Sequence, residues 1–526
     1  MRENRFDPTR VAHRDERTPS TARRRFLAAV GGTAAIALAG CADNGDPGDD
    51  GEEPDDDHDD DDHDDDELET VDPAIVVPGV VEDGEPVYGE YLTFRDYASV
   101  KHAVYISGAV ARDSEFGHEN YRPELAEDFM RERGEAWLDL VETIEHTFWD
   151  DGAISPTLAA EGDEWYPDGD PALPDYPLGG YAWHMHHRGG RFSEHGDLED
   201  RIYFEPADYV SSFTRHALNE HYEDGEFHHA DGTVDQQSMA HGLGAIHSAS
   251  YAWVRWNGDN DDMALADEDV LAGYLEYDTD DLVDVMREIK PVLDDHWDDD
   301  VGMYDFGDGT TYHINCVAGL LLGHKAMYEV LYQFGSDDED AEELADRTAR
   351  MVEPLLGEDV GMPCGLPELV EYTADGVEPA SDTADVGATW EFITHVTAGW
   401  SLPRENESEN SPQFLTENHP DVLEAITEFV DWQMEMGLLE GAQLDDDGYP
   451  VAELAYGEGE ITDDSHTAYA VGMFVTGLGI NYRAGDLVER ARDWDDADDE
   501  LLERSEEFHD RYVELSEYVF DYFVQH

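Results

Sequence analysis

Apolar and polar residues follow one another in two kinds of helical segment along this chain. In the first kind, apolar residues recur every three or four positions opposite an acidic face, which is typical of a helix that buries one side. Leu515, Val519 and Phe523 mark such a face near the end of the chain. This pattern predicts surface helices over 123–149, 280–297, 341–356, 421–439 and 501–523, with a weaker one over 206–222.

The second kind of segment carries little charge and is rich in Gly, Ala, Ser and Thr. Small residues let neighbouring helices approach closely, so these segments are predicted to be helices that are buried on all sides. The His, Lys and Glu residues within them favour a protein interior over a membrane span. The predicted inner helices cover 91–112, 238–256, 313–334, 385–400 and 466–480, with a weaker one over 179–190.

Inner and surface helices alternate at a spacing of roughly 60 to 80 residues, which indicates a helical-hairpin repeat. The count is about six hairpins over residues 90–526. An all-α chain of this pattern resembles the (α/α)6 toroid of the six-hairpin glycosidase-like superfamily. An open solenoid of helical hairpins is the alternative, although its repeats should be more alike than these.

The charge of the chain sets it apart from ordinary globular proteins. It has 129 Asp and Glu against 30 Lys and Arg, a formal net charge of −99, and lysine only at positions 101, 290 and 325. Acidic residues spread over the whole chain with so little lysine resemble proteins of salt-loving archaea, in which concentrated cations screen the repulsion. Nucleic acid is excluded as a partner because its phosphates need cations opposite them.

The first 41 residues differ from the rest of the chain. Arg23 and Arg24, a short apolar run and the sequence Leu-Ala-Gly before Cys41 resemble a twin-arginine export signal that ends in a lipobox. The resemblance implies export, with lipid on Cys41 anchoring the protein to the outer face of the cell membrane. Residues 42–72 are almost entirely acidic and are predicted to be a disordered tether. The helical domain is predicted to span 73–526.

Polar side chains stand at the starts of the predicted inner helices. In a toroid the inner helices point the same way, so their N-termini would line one central cleft. Asp382, Asp385 and Asp463 could equally be helix caps, whereas histidine and glutamine gain less from capping. The predicted ligand-binding residues are Gln237, His241, Trp253, Tyr312, His313, Asn315, Trp390 and His466.

Two chemistries use these residue types. Glycoside hydrolysis needs two carboxylates, and Asp382 or Asp385 facing Asp463 or Asp464 is the predicted pair. Trp253 and Trp390 would then stack against sugar rings.

Polysaccharide lyases on similar toroids use Asn, His and Tyr instead, a division of labour that Asn315, His241 or His313, and Tyr312 would fit. Hydrolysis is favoured because the acidic field repels polyuronates. A protein that binds a glycan or small polar solute without catalysis is the rival from another class.

Other chemistry receives less support. The histidines of 183–192 have neither a nearby cysteine nor an H-E-x-x-H motif, so no metal site is predicted, and no cofactor is predicted because the chain lacks a glycine-rich nucleotide loop. Asn406 begins the sequon Asn-Glu-Ser and is a candidate for glycosylation. Pairing of Cys316 with Cys364 stays open.

Overall fold

The structure of the protein is a computed structural model. It describes residues 71–82, 84–112, 123–150, 153–161, 164–168, 206–256, 276–357, 360, 364–400, 419–457, 459–484 and 499–524, and every structural statement below concerns these residues. They belong to one compact unit, Leu68–His526. Cys41, the export signal, most of the tether, Asn406 and the predicted helix over 179–190 lie outside the described residues.

The described residues are mostly helical, as the sequence pattern predicts. Five helices have the small-residue, low-charge sequences of the inner kind: α1 (Phe94–Arg112), α4 (Gln236–Trp256), α6 (Ile314–Val330), α8 (Val386–Trp400) and α10 (Ala468–Ala484). Six have the amphipathic acidic sequences of the surface kind: α2 (Pro123–Thr143), α3 (Pro206–Glu220), α5 (Thr279–His296), α7 (Asp338–Leu356), α9 (Pro420–Met434) and α11 (Asp499–Phe523). Helices α2, α6 and α9 each continue into a five-residue π-helical turn, Ile144–Phe148, Leu331–Gly335 and Glu435–Leu439.

Short strands, which the sequence pattern does not predict, join these helices. Eighteen strands of two to five residues form seven small antiparallel sheets within the described part of the chain. The three-stranded sheets are β3 (Tyr91–Thr93), β6 (Thr157–Glu161) and β7 (Glu164–Asp168); β12 (Thr311–His313), β13 (Leu369–Thr373) and β14 (Gly376–Pro379); β15 (Thr383–Asp385), β16 (Glu453–Ala455) and β17 (Ile461–Asp463); and β18 (His466–Thr467), β1 (Val80–Glu82) and β2 (Glu85–Val87). The two-stranded sheets are β4 (Trp149–Asp150) with β5 (Ala153–Ile154), β8 (Tyr222–Glu223) with β9 (Glu226–Phe227), and β10 (Trp297–Asp298) with β11 (Met303–Tyr304). The described chain is therefore mostly helical, as predicted, but it also contains short antiparallel sheets, which lie both at the starts and after the ends of helices.

The inner helices pack against one another in a fixed order. Helix α4 contacts α6, α6 contacts α8, α8 contacts α10, and α10 contacts α1, so the last inner helix returns to the first. Every residue of α6 from Ile314 to Val330 is buried, whereas α7 buries only one face. The surface helices pack on the outside of this row, for example α2 on α1, α3 on α4 and α7 on α6.

Glycine allows the close approach of the inner helices. A methyl group on Gly319 of α6 would lie 2.8 Å from the carbonyl oxygen of Ala240 in α4, and one on Gly472 of α10 would lie 2.8 Å from the carbonyl carbon of Ser99 in α1. Both distances are shorter than a van der Waals contact, so any larger residue would push the helices apart. The small residues that predict inner helices thus perform the packing role expected of them.

One connection recurs at four inner helices. A short strand leads into each of these helices and pairs with a second strand. The first N–H group of the helix donates to the carbonyl oxygen of the residue just before that second strand. The four bonds are Phe94 to Pro156 (3.0 Å), Ile314 to Glu368 (3.0 Å), Val386 to Ala452 (3.1 Å) and Ala468 to Gly79 (2.9 Å). In the fourth case the N-terminal segment supplies the carbonyl that a loop after a surface helix supplies in the other three. The repeat is therefore structural, although the sequences at these points differ.

Two further findings concern the described residues. Cys316 and Cys364 are not joined in a disulfide, and burial raises the pKa of the Cys364 thiol to about 11. None of the helices in these ranges has both the length and the low charge needed to cross a membrane.

Candidate functional site at the starts of the inner helices

A capping side chain stands immediately before each of the five inner helices. Side-chain acceptors at these positions bind backbone N–H groups two or three residues into the helix, which satisfies donors that the helix cannot pair itself. The five pairs are Thr93 with Asp96, Asp235 with Ser238, His313 with Asn315, Asp385 with Ala388, and Thr467 with Ala470. Capping thus accounts for His313, through Nδ1, as well as for Asp385, although histidine was expected to gain less from capping than aspartate.

In three of the inner helices, the side chain two residues after the capping residue contacts the same carboxylate. Arg95 of α1, Asn315 of α6 and Tyr469 of α10 all contact Glu391 of α8. Tyr469 Oη donates to Glu391 Oε2 over 2.5 Å, and Asn315 Nδ2 lies 3.0 Å from the same oxygen. Asn315 Nδ2 also lies 3.1 Å from Tyr469 Oη, and the guanidinium of Arg95 lies 3.8 Å from Glu391 Oε2. Four of the five inner helices are joined at this point.

The local sequence explains how these groups meet. Gly387 is the equivalent position of α8, and a methyl group there would lie 2.4 Å from Cδ1 of Tyr469. Because Gly387 has no side chain, the ring of Tyr469 can occupy that space, and the guanidinium of Arg95 lies 3.6 Å from the centre of the same ring. The guanidinium of Arg95, stacked on the Tyr469 ring, and the hydroxyl of Tyr469 thus both lie next to the carboxylate of Glu391.

Glu391 is fully buried and remains ionised. Burial alone would raise its pKa, but the hydrogen bond and charge of His395, the charge of Arg95 and the hydrogen bond from Tyr469 outweigh burial and hold the pKa below its ordinary value. His395 Nε2 lies 3.5 Å from Glu391 Oε1. A carboxylate without contact to solvent cannot touch a substrate, so Glu391 organises the groups around it.

Three carboxylates lie in one row across the neighbouring sheet. Asp385 of β15 pairs with Glu453 of β16, which pairs in turn with Asp463 of β17. Residues directly opposite one another in a sheet share a face, and two strand spacings place the Cα atoms of Asp385 and Asp463 about 10 Å apart. The register between β16 and β17 shifts at a bulge between Glu453 and Leu454, so the row is regular between Asp385 and Glu453 and ends at this bulge. Asp385 and Glu453 are partly buried, and Asp463 is exposed. The predicted association of these two segments is thus seen in the register of the strands.

Burial raises the pKa of Asp385, against the opposing effects of the Ala388 N–H group and the Arg95 charge. Its Oδ1 accepts the capping bond from Ala388 over 2.8 Å. Glu453 Oε1 accepts from the hydroxyl of Thr462 over 2.7 Å. The row therefore contains a partly buried carboxyl group whose pKa is raised, Asp385, and an exposed carboxyl group, Asp463.

Two predicted carboxylates stand outside this row. Asp382 and Asp464 are exposed, and neither belongs to a residue pair of this sheet. Asp463 also accepts from the N–H group of Ser465 over 2.9 Å, so part of its role is to form a turn.

The structure also removes two aromatic candidates from the cleft. Tyr312 is fully buried and its hydroxyl donates to the carbonyl of Tyr304 over 3.0 Å. Trp390 is fully buried and its indole N–H donates to Oε1 of Gln443 over 2.6 Å, so it cannot be a sugar-stacking surface. Both predictions were wrong because an aromatic residue next to a helix start was interpreted as exposed.

The remaining candidate residues differ in how far they are exposed to solvent. Gln237 is exposed at the start of α4, His241 is buried one turn further along, and the side chain of Trp253 lies outside the described residues. His466 lies between two partners: Nε2 is 2.9 Å from Asp445 Oδ2, and Nδ1 is 2.6 Å from Tyr518 Oη. These contacts tie the start of α10 to α11.

The prediction of site residues missed Arg95, Tyr469 and Glu453 and did not place Glu391 at the centre. Counting two residues beyond each cap would have found the first two. Within the described ranges, no group of three or more His, Cys, Asp or Glu residues is arranged to hold a metal ion.

Comparison with known proteins gives no family for this chain. No protein-family model matches the sequence, and a search of the curated protein sequences finds no match.

Proposed function

We propose that this protein is a glycoside hydrolase whose active site lies at the N-terminal end of its inner helices. One observation carries the proposal: Asp385, with its raised pKa, stands in a row with Glu453 and Asp463 on one face of a sheet at that end. Hydrolysis of a glycosidic bond uses one carboxyl group as general acid and a second as general base, and a raised pKa favours the acid role for Asp385.

Asp385 is the proposed general acid and Asp463 the proposed general base. The acid protonates the departing oxygen, and the exposed base activates a water molecule on the other side of the sugar. An inverting glycosidase needs roughly 6.5 to 9.5 Å between its two carboxyl groups to admit that water, and the proposal requires this separation between the carboxyl groups of Asp385 and Asp463. Arg95 and the groups around Glu391 support the site next to Asp385 by fixing the starts of α1, α6, α8 and α10.

The same evidence supports a closed ring of six inner helices. The contact between α10 and α1, together with the bond from Ala468 to Gly79, returns the end of the chain to its beginning. An open solenoid would leave its two ends apart. We propose that the five described inner helices belong to an (α/α)6 toroid; the sixth predicted inner helix, over 179–190, lies outside the described residues.

The Tyr, His and Asn side chains proposed for a polysaccharide lyase are engaged in other contacts. Tyr312 is buried and bonded to Tyr304, His313 caps α6, and Asn315 donates to Glu391 and Tyr469. Binding of a glycan without catalysis is the outcome to be separated by experiment.

The test is hydrolysis of a panel of polysaccharides and oligosaccharides in molar potassium chloride, with release of reducing ends as the measurement. Asp385→Asn should lower turnover by about 10²- to 10⁴-fold, the usual contribution of a general acid. Asparagine is as good a cap as aspartate, so the helix start is preserved. Asp382→Asn, the same change on an exposed residue of the preceding turn, is the matched control and should keep full activity. Binding without release of reducing ends would instead support a binding protein.

For localisation we propose export and a lipid anchor on Cys41. The support is the order of the paired arginines, the short apolar run and the small residues before Cys41. The acidic residues 42–72 would then hold the helical domain away from the membrane surface.

A further inference from the structure

The sheet formed by β3, β6 and β7 presents an aromatic face to solvent. Leu92 and Leu158 point into the core and are buried, so Tyr91, Thr93, Thr157 and Ala159 point the other way. Tyr91 is 55% exposed, the largest value among the exposed large hydrophobic residues of the described chain. Single exposed aromatic residues are common on protein surfaces, so the role inferred for Tyr91 depends on its neighbours in the sheet.

The strand register places two tyrosines around a small residue. Tyr91 pairs with Ala159, and Ala159 pairs with Tyr166 on the other side. Cross-strand neighbours share a face, so the two tyrosine Cα atoms lie about 10 Å apart with the methyl group of Ala159 between them. The row thus places a small residue between two tyrosines, of which Tyr91 is exposed and Tyr166 is partly buried.

Hydrogen-bonding groups border the row of Tyr91, Ala159 and Tyr166. The hydroxyl of Tyr166 donates to Glu164 Oε2 over 2.8 Å, and the next row along the sheet contains Thr93, Thr157 and Asp168. Strands β3, β6 and β7 contain neither lysine nor arginine. Carboxylates and hydroxyls next to aromatic rings suit a ligand with many O–H donors and apolar C–H faces.

We propose that this face binds the chain of a neutral oligosaccharide next to the catalytic row. Strand β3 leads directly into α1, so Thr93 caps the helix whose second residue, Arg95, reaches Glu391. The assignment of this ligand as the substrate rests on the proposed hydrolase function, whereas binding itself does not require turnover.

Charge decides which occupant this surface accepts. A second copy of the chain would bring another formal charge of −99 to an acidic face, and a polyuronate would meet the same repulsion. A neutral sugar has no charge to repel and supplies donors for Glu164 and Asp168.

The experiment measures binding in the Asp385→Asn background, so that hydrolysis does not remove the ligand. The probes are cello-, xylo- and malto-hexaose, titrated by calorimetry in molar potassium chloride. For the sugar that binds, Tyr91→Ala and Tyr166→Ala should each raise Kd by about ten-fold, the loss of one aromatic contact. Tyr91→Phe keeps the ring and should bind nearly as well as its parent. Tyr332→Ala, which removes a tyrosine that is 43% exposed beyond the end of α6, is the matched control and should leave Kd unchanged.

Binding that is equally strong in the two alanine variants would overturn the proposal, and so would tighter binding of tri- to hexa-galacturonate than of the neutral sugars. So would the absence of binding by all three neutral hexasaccharides. Weaker binding in the alanine variants, with no hydrolysis by the wild-type protein, would support the binding face and contradict the proposed hydrolase.

Discussion

The hydroxyl of Tyr469 donates to Oε2 of Glu391 over 2.5 Å, and this contact joins the last inner helix to its neighbour in a fully buried position. Asn315 and Arg95 bring two further helices to the same carboxylate. Buried charges are costly unless they are paired and hydrogen-bonded, so this junction should be sensitive to any change that leaves one member without its partner.

Glu391→Gln tests the junction. The substitution keeps the shape and removes the negative charge, which leaves the guanidinium of Arg95 without its buried partner. Because the Arg95 side chain is 35% exposed, most of the effect comes from the hydrogen bonds of Tyr469 and Asn315. We expect the free energy of unfolding to fall by roughly 1 to 3 kcal/mol, measured by denaturant unfolding in molar salt. Glu428→Gln, on the exposed face of α9, should change it by no more than about 0.5 kcal/mol. Equal stability of the two variants would contradict the role given to Glu391.

The pH dependence of Glu391 has a definite sign. Because its folded pKa lies below the ordinary value, its contribution to stability is present at neutral pH and is lost as the pH falls through the folded pKa. The stability difference between wild type and Glu391→Gln should therefore shrink in acid.

Asp96 is expected to act in the opposite direction. Burial raises its pKa to about 6, while the hydroxyl of Thr93 donates to it over 2.6 Å. The folded state binds this proton more tightly than the unfolded state, so the stabilising effect is complete below pH 4 and is lost as the pH rises through 6. Asp96→Asn should stabilise the protein at pH 8 by at most about 3 kcal/mol and have little effect at pH 4.

Thermal unfolding of Asp96→Asn across this pH range is the measurement. Asp280→Asn, an exposed residue in the first turn of α5, is the control for the loss of one negative charge. If both variants show the same pH dependence, the effect belongs to overall charge and not to the buried position of Asp96.

The helices were predictable because their signals are strong and local. The amphipathic period predicted the starts of α5, α7, α9 and α11 to within three residues of those observed. The strands were not predictable from period, since most have two or three residues and pair with segments distant in sequence, as Val80 does with Thr467.

The site was predicted in location but not in its residues. A helix start attracts polar side chains for two reasons, capping and function, and sequence alone does not separate them. His313 and Asp385 occupy equivalent positions and both cap, yet only Asp385 also lies in the carboxylate row. Trp390 was misplaced because its partner Gln443 is 53 residues away in the chain.

Low salt should destabilise the fold. With a formal charge of −99, carboxylate repulsion is short-ranged in concentrated salt and long-ranged without it, since the Debye length grows from about 3 Å at 1 M to about 30 Å at 0.01 M. We expect the melting temperature, followed by circular dichroism, to fall steadily as potassium chloride is removed. A melting temperature independent of salt would contradict the salt-adapted interpretation of the composition.

Cys41→Ser tests the anchor. Without its thiol the protein cannot receive the lipid, and we expect it in the medium or as an unprocessed precursor instead of in the membrane fraction. Fractionation followed by immunoblotting measures this, with Cys316→Ser as the control that should stay in the membrane fraction. Unchanged membrane association and processing of Cys41→Ser would exclude the lipoprotein assignment.

The role of Asp385 as general acid is tested most directly by the leaving group. On the sugar that the wild-type protein hydrolyses, kcat/KM of Asp385→Asn is compared between the natural glycosidic bond and the corresponding 2,4-dinitrophenyl glycoside, whose leaving group departs without a proton. The proposed mechanism predicts a loss of about 10²- to 10⁴-fold on the natural bond and a far smaller loss on the dinitrophenyl glycoside. Equal losses on both substrates, or full activity on both, would contradict it.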